Sequence, residues 1–174
     1  MEKVEGRIYW DLKLPGLTPT ERRDVWMAQV DTLAALHKLE PAAIGLADYG
    51  KPGNYFARQV GRWTKQYRAS EIDPIGSMDR LIEYLPATLP PEGPTRIVHG
   101  DYRLDNMILH PKEPRVLAVL DWELSTLGDP MADFSYLLIA YAISADARNG
   151  LKGADIAALG IPSIDELAER YGAQ

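Results

Sequence analysis

Residues 97–106 read IVHGDYRLDN, and residues 116–123 read VLAVLDWE. The first stretch closes a short apolar run, Arg96 to Val98, and then sets His99, Asp101 and Asn106 in the order H, x, D, four residues, N. The second is an apolar run, Val116 to Leu120, that delivers a carboxylate, Asp121, into a polar loop. Both runs read as short buried strands, with Met107 to Leu109 a third, and the polar turn HPKEPR joins the last two as a hairpin. Such a hairpin returns Asp121 to the side of Asn106.

Outward from this pair the chain is helical. Thr18, Pro19 and Glu21 form a capping box with proline at the first helical position, which predicts a helix to about Leu39, ahead of Pro41. Trp26, Val30, Leu33 and His37 share one of its faces. The turn-rich DYGKPGN precedes a helical pattern from about Tyr55 to Ala69 capped by Asn54. Ser77 is placed to cap a third helix through Leu85, where PATLPP stops it. Beyond the hairpin, Asp129 and Pro130 start a helix through about Ala142, and Ser163 with Glu166 makes a second capping box. The order predicts an α+β domain, mostly helical, with a small β-hairpin cluster whose loops carry function.

The 174 residues, 46% of them hydrophobic, suffice for one core. Nineteen basic against 25 acidic residues, a net charge of -6 without runs of one sign, argue against a nucleic-acid partner. The lack of cysteine excludes disulfides, thiolate metal sites and a cysteine nucleophile. MEKVEGRIYW has no apolar signal core, and the longest apolar-rich stretch, Phe134 to Ile143, is too short to span a bilayer. A cytoplasmic protein without a membrane partner is the expectation.

An H-x-D-x4-N segment directly after a strand, followed by a strand-end aspartate, has the spacing of a kinase catalytic loop and its metal-binding partner. Phosphoryl transfer from ATP needs a divalent cation to neutralise the triphosphate and the charge that develops in transfer. Asp121 offers an anionic oxygen and Asn106 a neutral amide oxygen, hard donors that suit Mg²⁺. Asp101 then faces the acceptor hydroxyl as its base. Arg103, two residues on, is placed to reach the transferred phosphoryl oxygens. His99 reads as a packing and hydrogen-bonding strut that holds the loop.

Other polar features read as structural. His37 and His110 fit packing or capping, and GKPGN at 50–54 is a turn, since it lacks the GxxxxGK(S/T) spacing. Glu123 is a solvated loop carboxylate or a further metal or substrate contact. Tyr55, Phe56, Trp63 and Tyr67 pack, or line an acceptor pocket. Glu113, Asp121, Glu123, Asp129 and Asp133 keep a two-metal phosphohydrolase open as an alternative.

HGDYRLDN followed by DWELSTLGDPMAD resembles the paired signature of the aminoglycoside phosphotransferase and choline-kinase-like enzymes. The nearest resemblance is to the phosphotransferase domains found alone in bacteria or fused to acyl-CoA dehydrogenases, and it extends through GLADYGKPGNYFARQVGRWTKQY to nearly the whole chain. It implies a protein-kinase-like two-lobed fold, with Asp101 catalytic, Asn106 and Asp121 as magnesium ligands, and Asp133 as a buried helix residue bracing the catalytic loop. MEKVEG resembles the strand and hinge that join the two lobes, which sets the backbone of Glu2 to Val4 against adenine. Residues 1–10 are then the hinge and 11–174 an incomplete C-terminal lobe. No glycine-rich phosphate loop or strand lysine is recognisable, and similar proteins continue with helices after IPSIDELAERYG. The resemblance implies ATP-dependent transfer to a hydroxyl of a small molecule, an acyl metabolite among the candidates. A non-catalytic nucleotide-binding fragment is the second reading, and a dimer through the truncated faces is a further expectation.

Overall fold

The computed structural model describes residues 3–174, so the adenine contact expected of Glu2 lies outside the described residues. Helix α1 (Pro19–Lys38) is followed by α2 (Tyr55–Ser70) and α3 (Gly76–Ala87). Strand β1 (Arg96–Val98) then leads to the hairpin of β2 (Met107–Leu109) and β3 (Val116–Val119), and to β4 (Thr126–Gly128). Helices α4 (Met131–Leu138), α5 (Ile156–Leu159) and α6 (Ile164–Gly172) complete the order.

Helix α1 is the spine. The Thr18 hydroxyl accepts the Glu21 N–H at 3.3 Å and the Glu21 carboxylate accepts the Thr18 N–H at 2.7 Å, so two donors orphaned by the helix start are satisfied. Its buried stripe, with Trp26, Val30 and Leu33, meets Tyr102, Leu104 and Met107 from the loop and hairpin, and Phe134 and Leu137 from α4, in one core. Helix α6 starts in its own capping box at Ser163 and Glu166. It is tied to α1 by Arg170 on Asp31 at 2.6 and 2.7 Å and by Arg23 on Glu166 at 2.6 Å.

The strands form two antiparallel pairs. In the hairpin Met107 lies opposite Val119, and Arg7 exchanges two backbone bonds with Leu109, of 2.8 and 2.9 Å, bringing the N-terminal segment alongside. Strand β1 pairs with β4, Arg96 opposite Gly128 and Val98 opposite Thr126. Strand β4 falls in a stretch that the sequence assigns to a loop. Three residues ending in glycine show no alternation, and the partner strand is remote in the chain.

Three helix starts or ends differ from expectation. Asn54 occupies the cap of α2 in the left-handed region (φ 49°) without a side-chain cap bond, and its N–H instead donates to the Glu92 carboxylate at 2.8 Å. Ser77 lies inside α3, which starts at Gly76 and carries Pro86 in its last turn. Helix α4 stops at Leu138 and tightens into a 3₁₀ turn, Ile139–Tyr141. Helices α2 and α3 contribute no buried residue. No helix among the described residues is long and apolar enough to cross a membrane.

Candidate active site

After β1 the chain turns at Gly100, whose φ is +86°. A Cβ there would sit 2.7 Å from the Leu124 carbonyl oxygen, so glycine is required both for the backbone angle and for the close approach. The turn is held from below by Asp133 of α4, a carboxylate 1% exposed. One of its oxygens accepts the His99 N–H at 2.6 Å and the other the Gly100 N–H at 2.8 Å. His99 itself is fully buried. Its Nε2 donates to the Leu120 carbonyl at 2.8 Å and its Nδ1 accepts the Asp101 N–H at 3.2 Å, a tautomer assigned from these two partners. One imidazole therefore ties the loop to the residue preceding Asp121.

Asn106 is the second tie. Its Nδ2 donates to the Asp101 carbonyl at 2.9 Å and to the Asp101 carboxylate at 3.0 Å. The Leu120 N–H donates to the Asn106 carbonyl at 2.8 Å, which sets Asp121 at the same end of the hairpin. With its nitrogen committed to Asp101, the Asn106 amide oxygen is the atom left for a cation. Asp121 is exposed and left-handed (φ 65°), a conformation Asp tolerates better than most residues, at a cost of about 1 kcal/mol. One anionic and one neutral oxygen donor suit Mg²⁺ that takes its other ligands from phosphate and water.

Arg103 lies with Nε 3.3 Å from an Asp101 oxygen and 3.3 Å from an Asp105 oxygen, so its charge spans two carboxylates. Val4, half-buried and outside any regular element, precedes the Arg7 bridge to Leu109. The wider acidic set is dispersed. Asp129 is buried and accepts the N–H groups of Gly93 at 3.2 Å and Met131 at 2.9 Å, while Glu123 is exposed. Among the described residues no three His, Cys, Asp or Glu side chains gather as a metal site. His110 is a turn cap, its Nδ1 accepting the Glu113 N–H at 3.0 Å.

Sequence reasoning missed Tyr136. It lies one turn beyond Asp133 on α4, and its phenol is pushed above the usual range by burial and then by the neighbouring Asp101 carboxylate. The signal available was its i+3 spacing from Asp133. Tyr136, Gly100 and Leu124 line a groove of about 250 Å³ that runs between α4 and α2, where Tyr55, Phe56, Gln59, Arg62 and Trp63 form the opposite wall. Trp63 is half exposed there.

The family described as "Phosphotransferase enzyme family" matches residues 1–170. The chain is 47% identical over 173 residues to acyl-CoA dehydrogenase family member 10 of Mus musculus, covering 98% of this chain and 16% of that protein. A crystal structure from Ralstonia eutropha JMP134, provisionally described as an aminoglycoside phosphotransferase, superposes with a TM-score of 0.96 at 52% identity, covering 99% of this chain and 53% of that one. An aminoglycoside phosphotransferase of Streptomyces rimosus ATCC10970, solved with ADP and streptomycin, gives a TM-score of 0.59 at 26% identity over 98% of this chain and 61% of that one. The chain thus spans about half of the Ralstonia structure and a smaller fraction of the mouse protein. With its kinase-like C-terminal-lobe fold and a family match across residues 1–170, the chain belongs to the phosphotransferase enzyme family.

Proposed function

We propose that this chain carries the catalytic half of an ATP-dependent phosphotransferase that moves the γ-phosphoryl group to a hydroxyl of a small molecule. The observation that carries the reading is Asn106. Its side-chain nitrogen bonds Asp101 at 2.9 and 3.0 Å, and its backbone carbonyl receives the N–H of the residue before Asp121. A base and two metal donors are thereby held as one unit, which is what positioning-dominated phosphoryl transfer needs.

In this reading Asp101 orients the acceptor hydroxyl and takes its proton as the oxygen attacks the γ-phosphorus, the bond to the β–γ bridging oxygen breaks and ADP leaves. Asn106 and Asp121 hold Mg²⁺, which when bound neutralises the phosphate charge. Arg103 is the counter-charge of Asp101 in the resting loop and donates to the phosphoryl oxygens once the acceptor occupies Asp101. His99 and Asp133 keep the loop in shape. Residues 1–10 serve as the hinge to the nucleotide, with Val4 backbone toward adenine, and residues 11–174 as the C-terminal lobe. The Streptomyces relative, solved with ADP, supports a nucleotide donor.

The groove between α2 and α4 receives the acceptor. Tyr55, Phe56 and Trp63 supply apolar faces, Gln59 and Arg62 a polar edge, and the one carboxylate in its wall, Asp133, already accepts two backbone N–H groups. A polycationic sugar finds no acidic wall there, whereas a hydroxylated acyl compound finds both an apolar surface and a cation.

The test is the thermal midpoint of the chain with Mg²⁺ and ATP, together and separately, beside Asp121→Ala. A rise that needs both ligands and is lost in the variant supports the metal assignment. Turnover of ATP that never depends on a hydroxylated acceptor would sink the transfer reading.

A further inference from the structure

Asp133 has a third partner besides the catalytic-loop amides. His37, in the last turn of α1, is buried with its side chain 4% exposed, and its Nε2 lies 3.3 Å from the same Asp133 oxygen that accepts the His99 N–H. Its Nδ1 lies 2.7 Å from the Tyr171 hydroxyl of α6. Asp133 accepts from backbone amides through both oxygens, so His37 donates from Nε2 and its Nδ1 accepts from Tyr171. Tyr171 is fixed in turn by stacking on Phe134, one residue after Asp133, with ring centroids 4.4 Å apart and planes at 21°. Burial and then the Asp133 charge push its phenol up to about 12, so it remains a donor over the neutral range.

We propose that His37 is a positioning residue for phosphoryl transfer: acting through Asp133, it fixes the plane of the carboxylate that holds the catalytic loop, and through Tyr171 it makes that plane depend on the seating of α6 against α1. This inference rests on the reading of residues 99–106 as the catalytic loop.

The physical need is specific. A carboxylate turns about a broad, roughly two-fold terminal torsion, so two backbone donors from adjacent residues of one loop can move with it, and a donor from another element pins it more firmly. An apolar side chain at position 37 would fill the same volume and leave the torsion free. Asp101 follows Gly100 directly, and Gly100 is a left-handed residue with no side chain to wedge it, so a swing of the Asp133 carboxylate passes straight to the base. A displacement of about 1 Å at such a group costs about 10²-fold in rate. The line runs from α6 through α1 and α4 to the loop without leaving buried or half-buried atoms.

The deciding experiment follows backbone amide exchange in the full chain for His37→Leu, His37→Gln and Tyr171→Phe, with phosphoryl transfer measured in parallel. His37→Leu keeps the volume and removes the donor, and His37→Gln restores an N–H that reaches Asp133. The expected result is faster exchange at the His99 and Gly100 amides, about tenfold for the loss of one charge-assisted bond. The hairpin amides of Leu109 and Leu120 keep the parent rate. In transfer assays kcat falls in His37→Leu while the affinity for Mg²⁺ and ATP holds, and His37→Gln recovers most of both readouts. Unchanged protection at His99 and Gly100, or an equal rise at every amide, overturns the proposal. A parent chain that transfers no phosphoryl group to any hydroxyl overturns the reading of the loop instead, and the exchange pattern then decides the brace by itself.

Discussion

The loop region, residues 96–133, and the pair of helices α2 and α3 are held in opposite ways. In the loop region polar side chains do the fastening from inside: His99, Asn106 and Asp133, all buried, bond backbone groups of the very segment that carries Asp101. The helix pair has no buried residue at all. It leaves Tyr84 and Trp63 at 62 and 50% exposure, the turn between the two helices leaves Ile72 at 94%, and one of its links is the surface ion pair of Arg68 with Asp79. The proposed base is held by several buried bonds at once, while the proposed acceptor wall is loosely tethered and open to change. That division lets the helix pair vary without disturbing the loop.

The largest expected break comes from Asp133→Ala. It strands two backbone N–H groups and the His37 donor in the interior, and the loss is about 3 to 5 kcal/mol by urea denaturation. Asp79→Ala on α3, which removes an exposed partner of Arg68, leaves the midpoint close to the parent's. Equal losses from the two would dissolve the contrast between loop and arm.

The three strands β1 to β3 were legible because short apolar runs stop at polar residues, and the spacing of the proposed site residues follows them: His99 and Asp101 lie in the loop from β1 to β2, and Asn106 and Asp121 at one end of the hairpin. Both capping boxes were legible because Thr18 with Glu21 and Ser163 with Glu166 are local signals. The misses are non-local. Strand β4 depends on pairing with β1 across the hairpin. Tyr136 becomes a neighbour of Asp101 only when α4 packs beneath the loop, and the left-handed Asn54 answers to Glu92 rather than to its own helix. His37 read as packing because nothing in AALHKLEP announces that Asp133 and Tyr171, 96 and 134 residues away, will meet its ring.

One substitution made twice sharpens the contrast further. Gly100→Ala forces a side chain into a left-handed residue 2.7 Å from the Leu124 carbonyl, and costs about 2 kcal/mol. Gly61→Ala, inside α2 with nothing within 4 Å of the added carbon, removes a poor helix former and raises stability by about 0.5 to 1 kcal/mol. Opposite signs in thermal or urea unfolding are the expected outcome. The same sign at both sites would mean that the loop yields as readily as the arm.

At Trp63 a modest effect on stability is expected, and it is the effect on acceptor binding that is most informative about function. Its ring is half exposed on the groove wall, with the Arg62 guanidinium 5.6 Å from the ring centre, so Trp63→Ala removes about half the area that a fully buried tryptophan would and lowers stability by about 1 kcal/mol. If the groove receives the acceptor, the same change raises the acceptor KM several-fold and leaves kcat and the affinity for ATP where they were, because Asp101, Asn106 and Asp121 are held from the other side of the site. A fall in kcat would place Trp63 among the groups that set the reacting geometry and join the arm to the loop. An unchanged KM would move the acceptor out of this groove.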